Sequence, residues 1–156
     1  MFRLCNNLNG NLHLPSNLKT IGMNAFFQCT KLIGDLTIPN GVTSIGSQAF
    51  KMCKGFNGQL YIPNTITSIK YSAFSECSGL TGDLKIPDSI IVIESQVFDK
   101  IGCNGILSFP KNLEEIGYSA FQSTKFSHEL NLPSTLKTIK FSAFKGSSFT
   151  GTLNIP

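Results

Sequence analysis

The sequence predicts an α/β solenoid, a stack of coils of 23–24 residues with one short parallel strand per coil and short helical turns opposite. Three observations predict it. The seven prolines fall at 15, 39, 63, 87, 110, 133 and 156, a spacing of 24 residues three times and then 23 three times. A fixed period of this length is the mark of a repeat array. Apolar residues recur at fixed offsets from each proline: three and one before it, then three, six, ten and eleven after it. The third observation is composition: 156 residues, 41% hydrophobic and only 14% charged, suit one body with a real core rather than a charged disordered tail.

Each offset has a physical role. Leu36 and Ile38 are two apart and point to one side of a short strand. Pro39 has no N–H and a fixed φ, so it ends the ladder and bends the chain. Val42 and Ile45 point inward again through a bent or second short strand. Ala49-Phe50 is expected on a helical turn, with the small Ala allowing close approach to the core. A further apolar residue follows at Leu32, Phe56, Leu80, Cys103, Phe126 and Phe149. Glycine at 10, 34, 58, 82, 105 and 151 precedes each strand and is expected to supply a corner, with His128 in that place once. No unit can bury its apolar face alone, and stacking makes one continuous core. Residues 1–156 thus read as a single solenoid of about six full repeats with partial repeats at both ends. Phe2, Phe26, Phe50, Phe74, Phe98, Phe121 and Phe144 are expected to stack as one ladder.

The unit Leu-x-Ile-Pro-x-x-Val-x-x-Ile-x-x-x-Ala-Phe-x-x-Cys-x-x-Leu resembles the BspA-like leucine-rich repeats over essentially the whole chain. The resemblance implies a right-handed leucine-rich-repeat coil and a non-enzymatic protein-binding module. Similar families occur on surface proteins of mucosal bacteria and protozoan parasites and are linked there to adhesion. The expected setting is therefore the cell surface or secretion, as part of a longer protein. The expected partners are host extracellular-matrix, cell-surface or neighbouring-cell proteins. The alternative is a cytoplasmic repeat scaffold or regulatory subunit, which the absence of a hydrophobic leader at Met1–Asn7 favours.

The remaining chemistry is sparse. Net charge is +4 with a single arginine, Arg3, so no Arg-rich nucleic-acid face is expected. No apolar run approaches a membrane span. Cys5, Cys29, Cys53 and Cys77 are each 24 apart and form one column, which later repeats fill with Ile101, Thr124 and Ser147. Coils about 4.7–4.9 Å apart make a thiolate cluster sterically conceivable. The column nevertheless reads as reduced, structural thiols without metal, and Cys103 takes a core leucine place. A surface location would instead favour disulfides. His13 and His128 are five coils apart, roughly 24 Å, too far to share a metal. Glu114-Glu115 does not read as a catalytic pair, and no phosphate loop is present, so no catalytic residue, cofactor or metal ligand is expected. Lys125, Lys137, Lys140 and Lys145 read as a solvated face or, more sharply, as a site for an acidic polymer or glycan. Tyr71, Tyr118 and Phe141 share one column, as a contact patch or as cover for the core edge.

The residue between the two inward strand positions must point outward. That row, His13, Thr37, Tyr61, Lys85, Ser108, Asn131 and Asn154, is the candidate protein-binding face, with Tyr61 and Lys85 at its centre. The chain starts and stops inside repeats without polar capping units, which raises the expectation of end-to-end self-association.

Overall fold

The computed structural model describes residues 2–5, 7–153 and 155. It is a parallel β-solenoid of about six turns, with repeats of about 23 residues. Its strands are two or three residues long and every pairing is parallel.

Short strands before Pro39, Pro63, Pro87 and Pro110 form a first ladder in two separate pairs. Leu36–Thr37 pairs with Leu60–Tyr61, and Leu84–Lys85 with Leu107–Ser108. The leucines face the core and their neighbours face solvent, the alternation a strand requires. The prolines from Pro15 to Pro133 then turn the chain: Val42 N–H donates to the Pro39 carbonyl at 3.0 Å, and Ile66 and Ile90 do the same to Pro63 and Pro87. A second ladder follows. Thr20–Ile21, Ser44–Ile45 and Ser68–Ile69 form one sheet; Val92–Ile93, Glu115–Ile116 and Thr138–Ile139 form another. The unit therefore carries two strands rather than one, and of the bend or second strand the sequence left open after the proline, it is the strand that forms.

The expected helical turns are not helices, and the fold is all-β rather than α/β. The segment around each Ala-Phe pair is a run of tight turns, because two residues per coil take left-handed backbone. Gln48 (φ 58°) and Met52 (φ 62°) do so in one coil, Ser72 (φ 54°) and Glu76 (φ 59°) in the next. A right-handed helix cannot pass through such residues. None of the left-handed positions holds a β-branched residue, the class that tolerates them least. The hydrogen bonds show what is gained. Alternate N–H groups close local turns, such as Ala49 to Gly46 and Phe50's neighbour Lys51 to Gln48. The others reach the next coil: Gln48 to Tyr71 O, Phe50 to Ala73 O and Met52 to Ser75 O, at 2.8–2.9 Å. The same three bonds recur from Ser72, Phe74 and Glu76 to Ser95, Val97 and Asp99. A helix would use these donors within its own turn; here they build a third ladder along the stack.

The interior is a set of columns. Phe2, Phe26, Phe50, Phe74, Phe98, Phe121 and Phe144 stack with ring centroids 5.2–5.7 Å apart and planes within 16° of parallel. The middle rings are fully buried, whereas Phe2 at the open end is half exposed. Phe109 meets Phe121 and Phe144 edge-on at 5.5 and 6.5 Å, and Phe126 stacks on Phe149. Of the corner glycines, Gly10, Gly34, Gly82 and Gly151 have positive φ, while Gly58 and Gly105 do not. Those two are glycine for space: a Cβ on either would lie 2.1 Å from the carboxylate oxygen of Asp35 or Asp83 in the coil before.

Candidate functional site

The segments before the prolines present the sequence-derived row, of which Thr37, Tyr61, Lys85 and Ser108 lie in the paired strands. His13, Thr37, Tyr61, Lys85, Ser108 and Asn131 are all exposed, and Asn154 lies outside the described residues. Thr37 stands in register with Tyr61, and Lys85 with Ser108. The inward neighbours in these coils are Leu12, Leu36, Leu60, Leu84, Leu107 and Leu130, one residue type throughout. The outward row has six different types in six coils. The Tyr61 hydroxyl donates to Gln59 Oε1 at 2.6 Å, which ties down the ring at the centre of the face.

The second ladder and the turns beside it present another surface, one the outward-alternation rule did not reach. Tyr71, Tyr118 and Phe141 are 41%, 54% and 81% exposed, so they do not cover the core edge. Ile91 and Val92, where other coils carry Ser, Thr, Lys or Glu, are also exposed. Tyr71 O–H donates to Gln96 Oε1 of the next coil at 2.8 Å.

The titratable groups divide into surface pairs and buried thiols. Lys137 pairs with Glu114 at 2.9 Å and Lys140 with Glu115 at 3.8 Å, so half of the C-terminal lysine group is engaged by the coil before. Lys70 pairs with Glu94 at 2.9 Å and Lys54 with Glu76 at 3.3 Å. His13 and His128 are exposed. Asp99 is buried, with one oxygen 3.4 Å from the Ser75 hydroxyl and the other without a partner; burial pushes its carboxyl above the usual range.

All five cysteines are free thiols. Those of the column bond backward along the stack: Cys29, Cys53 and Cys77 donate S–H to the carbonyls of Phe2, Phe26 and Phe50 at 3.0, 2.9 and 3.0 Å. Burial pushes Cys53 and Cys103 up to about 12 and Cys77 well above its ordinary value. A thiol held protonated is a poor metal ligand and a poor nucleophile. Among the described residues, no three His, Cys, Asp or Glu side chains gather where a metal ion could be held. No helix among them is long and apolar enough to cross a membrane.

Comparison with known proteins agrees with this architecture. A leucine-rich cell surface protein from Faecalibacterium prausnitzii A2-165 superposes with a TM-score of 0.71 at 26% identity, over 85% of this chain and 37% of its own. A leucine-rich repeat protein from Bacteroides ovatus superposes at 0.56 and 22% identity, over 86% of this chain and 40% of its own. The chain thus spans well under half the length of either structure. No curated protein matches it. The family model for the BspA-type leucine-rich repeat region matches in six copies over residues 1–101 and 57–156, and the chain belongs to that family.

Proposed function

We propose that this chain is a non-enzymatic protein-binding module of a cell-surface leucine-rich repeat protein, acting in adhesion to host or neighbouring-cell proteins. The observation that carries the reading is the first-ladder row. Its inward neighbours are leucine in every coil, so the scaffold is held constant while the outward residues vary from His13 to Asn131. A rigid ladder with free outward positions is how repeat proteins form extended binding surfaces. Tyr61 and Lys85 lie on adjoining coils at the middle of the face, an aromatic beside a cation, and they are the residues expected to contribute most. The surface setting draws support from the Faecalibacterium neighbour, described as a leucine-rich cell surface protein.

The test is capture of matrix and cell-surface proteins by the purified chain, repeated with Tyr61→Ala, Lys85→Ala and the double variant. The double variant is expected to lose at least about tenfold in affinity while melting as the parent does, since both side chains face solvent. Unchanged capture by a folded double variant would move the site elsewhere. The five free thiols support the cytoplasmic scaffold reading. Capture confined to cytosolic proteins would favour it.

A further inference from the structure

On the second ladder lies a notch unrelated to the row through Tyr61 and Lys85. The column eight residues after each proline carries Tyr71 in one coil, Ser95 in the next and Tyr118 in the one after. The small serine opens a gap between two exposed tyrosines, and Gly117, buried beneath, has no side chain to fill it. Glu94 and Glu115 also line the notch, and no lysine does. The notch is thus lined by aromatic rings and two carboxylates, with Lys70 and Lys140 pairing with those carboxylates from outside it. Tyr71 is pinned by its bond to Gln96, and the backbone N–H of Tyr71 donates to Glu94 Oε2 at 2.8 Å, so the acid and the ring are set in place together. A second shallow depression shares Val92 and Glu94 with the notch and continues over Ile91.

We propose that this notch receives an arginine side chain from an extended segment of a protein partner, with a neighbouring aliphatic residue covering Val92 and Ile91. The chemistry selects the occupant. An apolar or acidic side chain would strip water from Glu94 and Glu115 without replacing its hydrogen bonds. A guanidinium stacks on tyrosine faces and donates to carboxylates with the same planar group. The acids have capacity to accept. Lys140 stands 3.8 Å from Glu115 Oε2, a long pairing between two half-buried side chains. Lys70 holds one oxygen of Glu94 from outside the notch and lines the neighbouring depression.

The protein reports on this site by itself, having no tryptophan and three tyrosines, two of which flank the notch. Tyrosine fluorescence of the full chain is titrated with the blocked peptide Gly-Ile-Arg-Ile-Gly, and with Gln and Glu in place of Arg. Saturable quenching is expected, with the Arg peptide binding about tenfold more tightly than the Gln peptide and the Glu peptide not at all. Tyr118→Ala should abolish the Arg preference. Glu115→Gln should weaken it about threefold, and Lys140→Ala, which frees Glu115, should strengthen binding about twofold relative to Lys85→Ala on the other face. The proposal fails if the Gln peptide binds as well as the Arg peptide. It fails if folded Tyr118→Ala retains the preference, or if Lys140→Ala and Lys85→Ala respond alike. Saturation by maltohexaose with no response to the Arg peptide would assign the notch to a neutral glycan and overturn it. The result is separable from the adhesion reading, because Tyr61→Ala and Lys85→Ala leave this notch intact.

Discussion

In the coils between Pro15 and Pro87 the residue three past the spine phenylalanine is a cysteine; after Pro87 it is Ile101, then Thr124, then Ser147. The coil length changes at the same place, from 24 residues to 23. In the longer coils the chain turns a corner through Lys54–Gly55 and Ser78–Gly79, and a Cβ on either glycine would stand 2.3 Å from a carbonyl of the coil before. In the first shorter coil one residue is lost there, and Gly102 alone makes the approach, its N–H donating to Cys77 O at 3.1 Å. The bonding of the column shifts too. The thiols donate to the phenylalanine carbonyl behind them, Ile101 donates nothing, and the hydroxyls work as a relay: Thr124 to Ser147 at 3.0 Å, Ser147 to Phe121 O at 2.7 Å. A position met equally by thiol, hydroxyl and hydrocarbon needs a small filler with an optional donor.

The spine crosses from one half to the other without change, and it sets the largest expected effect. Phe74 is fully buried between Phe50 and Phe98 at 5.6 and 5.7 Å. Phe74→Ala should cost about 3–5 kcal/mol, lowering the melting temperature by roughly 10 °C in a chain of this size. Phe144, half buried at the far end of the stack, should cost less than half of that. Equal losses at the two positions would mean that one stacked ring and two edge-on rings hold Phe144 as firmly as two stacked rings and full burial hold Phe74.

The thiol and hydroxyl positions of the column should also part under alkali. Burial pushes Cys53 and Cys103 from an ordinary value of 9.0 to about 12, and it raises Cys77 well above that ordinary value. Their folded forms hold protons that the unfolded chain releases. Stability is therefore complete below about pH 9 and falls as pH rises from there toward 12, by about 1.4 kcal/mol per pH unit for each thiol. The hydroxyl and isoleucine positions of the column do not titrate in this range. Urea unfolding at pH 8, 9.5 and 10.5, for the parent and for Cys53→Ser, Cys77→Ser and their double variant, measures the slope. The double variant should lose two of the three main contributions. A parent whose stability stays flat to pH 10.5 would show that the thiols ionise as readily folded as unfolded.

The legible part of this molecule was its inward-facing half. Proline, leucine and phenylalanine recur because the core repeats, so period, strand position and spine could be read from spacing, and the outward row followed from strand alternation. The turn segment was misread for a physical reason. Ala49, Phe50 and Cys53 are spaced like one face of a helix, and the left-handed backbone at Gln48 and Met52 has no glycine to announce it. The available signal was weaker, the exclusion of β-branched residues from those two columns in every coil. The exposure of Tyr71 and Tyr118 depended on that backbone. With a helical turn they could have folded over the core edge, whereas the third ladder leaves them standing beside the small Ser95.

The smallest expected effect addresses the column most directly. Cys77 can be given the chemistry of either half: Cys77→Ser carries the hydroxyl of the Ser147 coil, and Cys77→Ala removes the donor altogether. Phe50 O accepts two bonds, from Cys53 N–H at 3.1 Å and Cys77 S–H at 3.0 Å, while Phe74 O, behind Ile101, accepts the turn bond from Cys77 N–H at 3.2 Å without a thiol. A carbonyl with one bond is thus tolerated in this stack, and the second bond can matter only modestly. Cys77→Ala should cost about 1–2 kcal/mol, from the lost donor and the small void together. Cys77→Ser, which keeps a donor and most of the volume, should recover about 0.5–1 kcal/mol of that. Cys77→Val separates the two contributions, since it fills the space and donates nothing. If valine equals the parent, volume alone defines the column and the thiols are fillers whose bonds contribute nothing. If serine is better than valine, the donor is the feature that the two halves share.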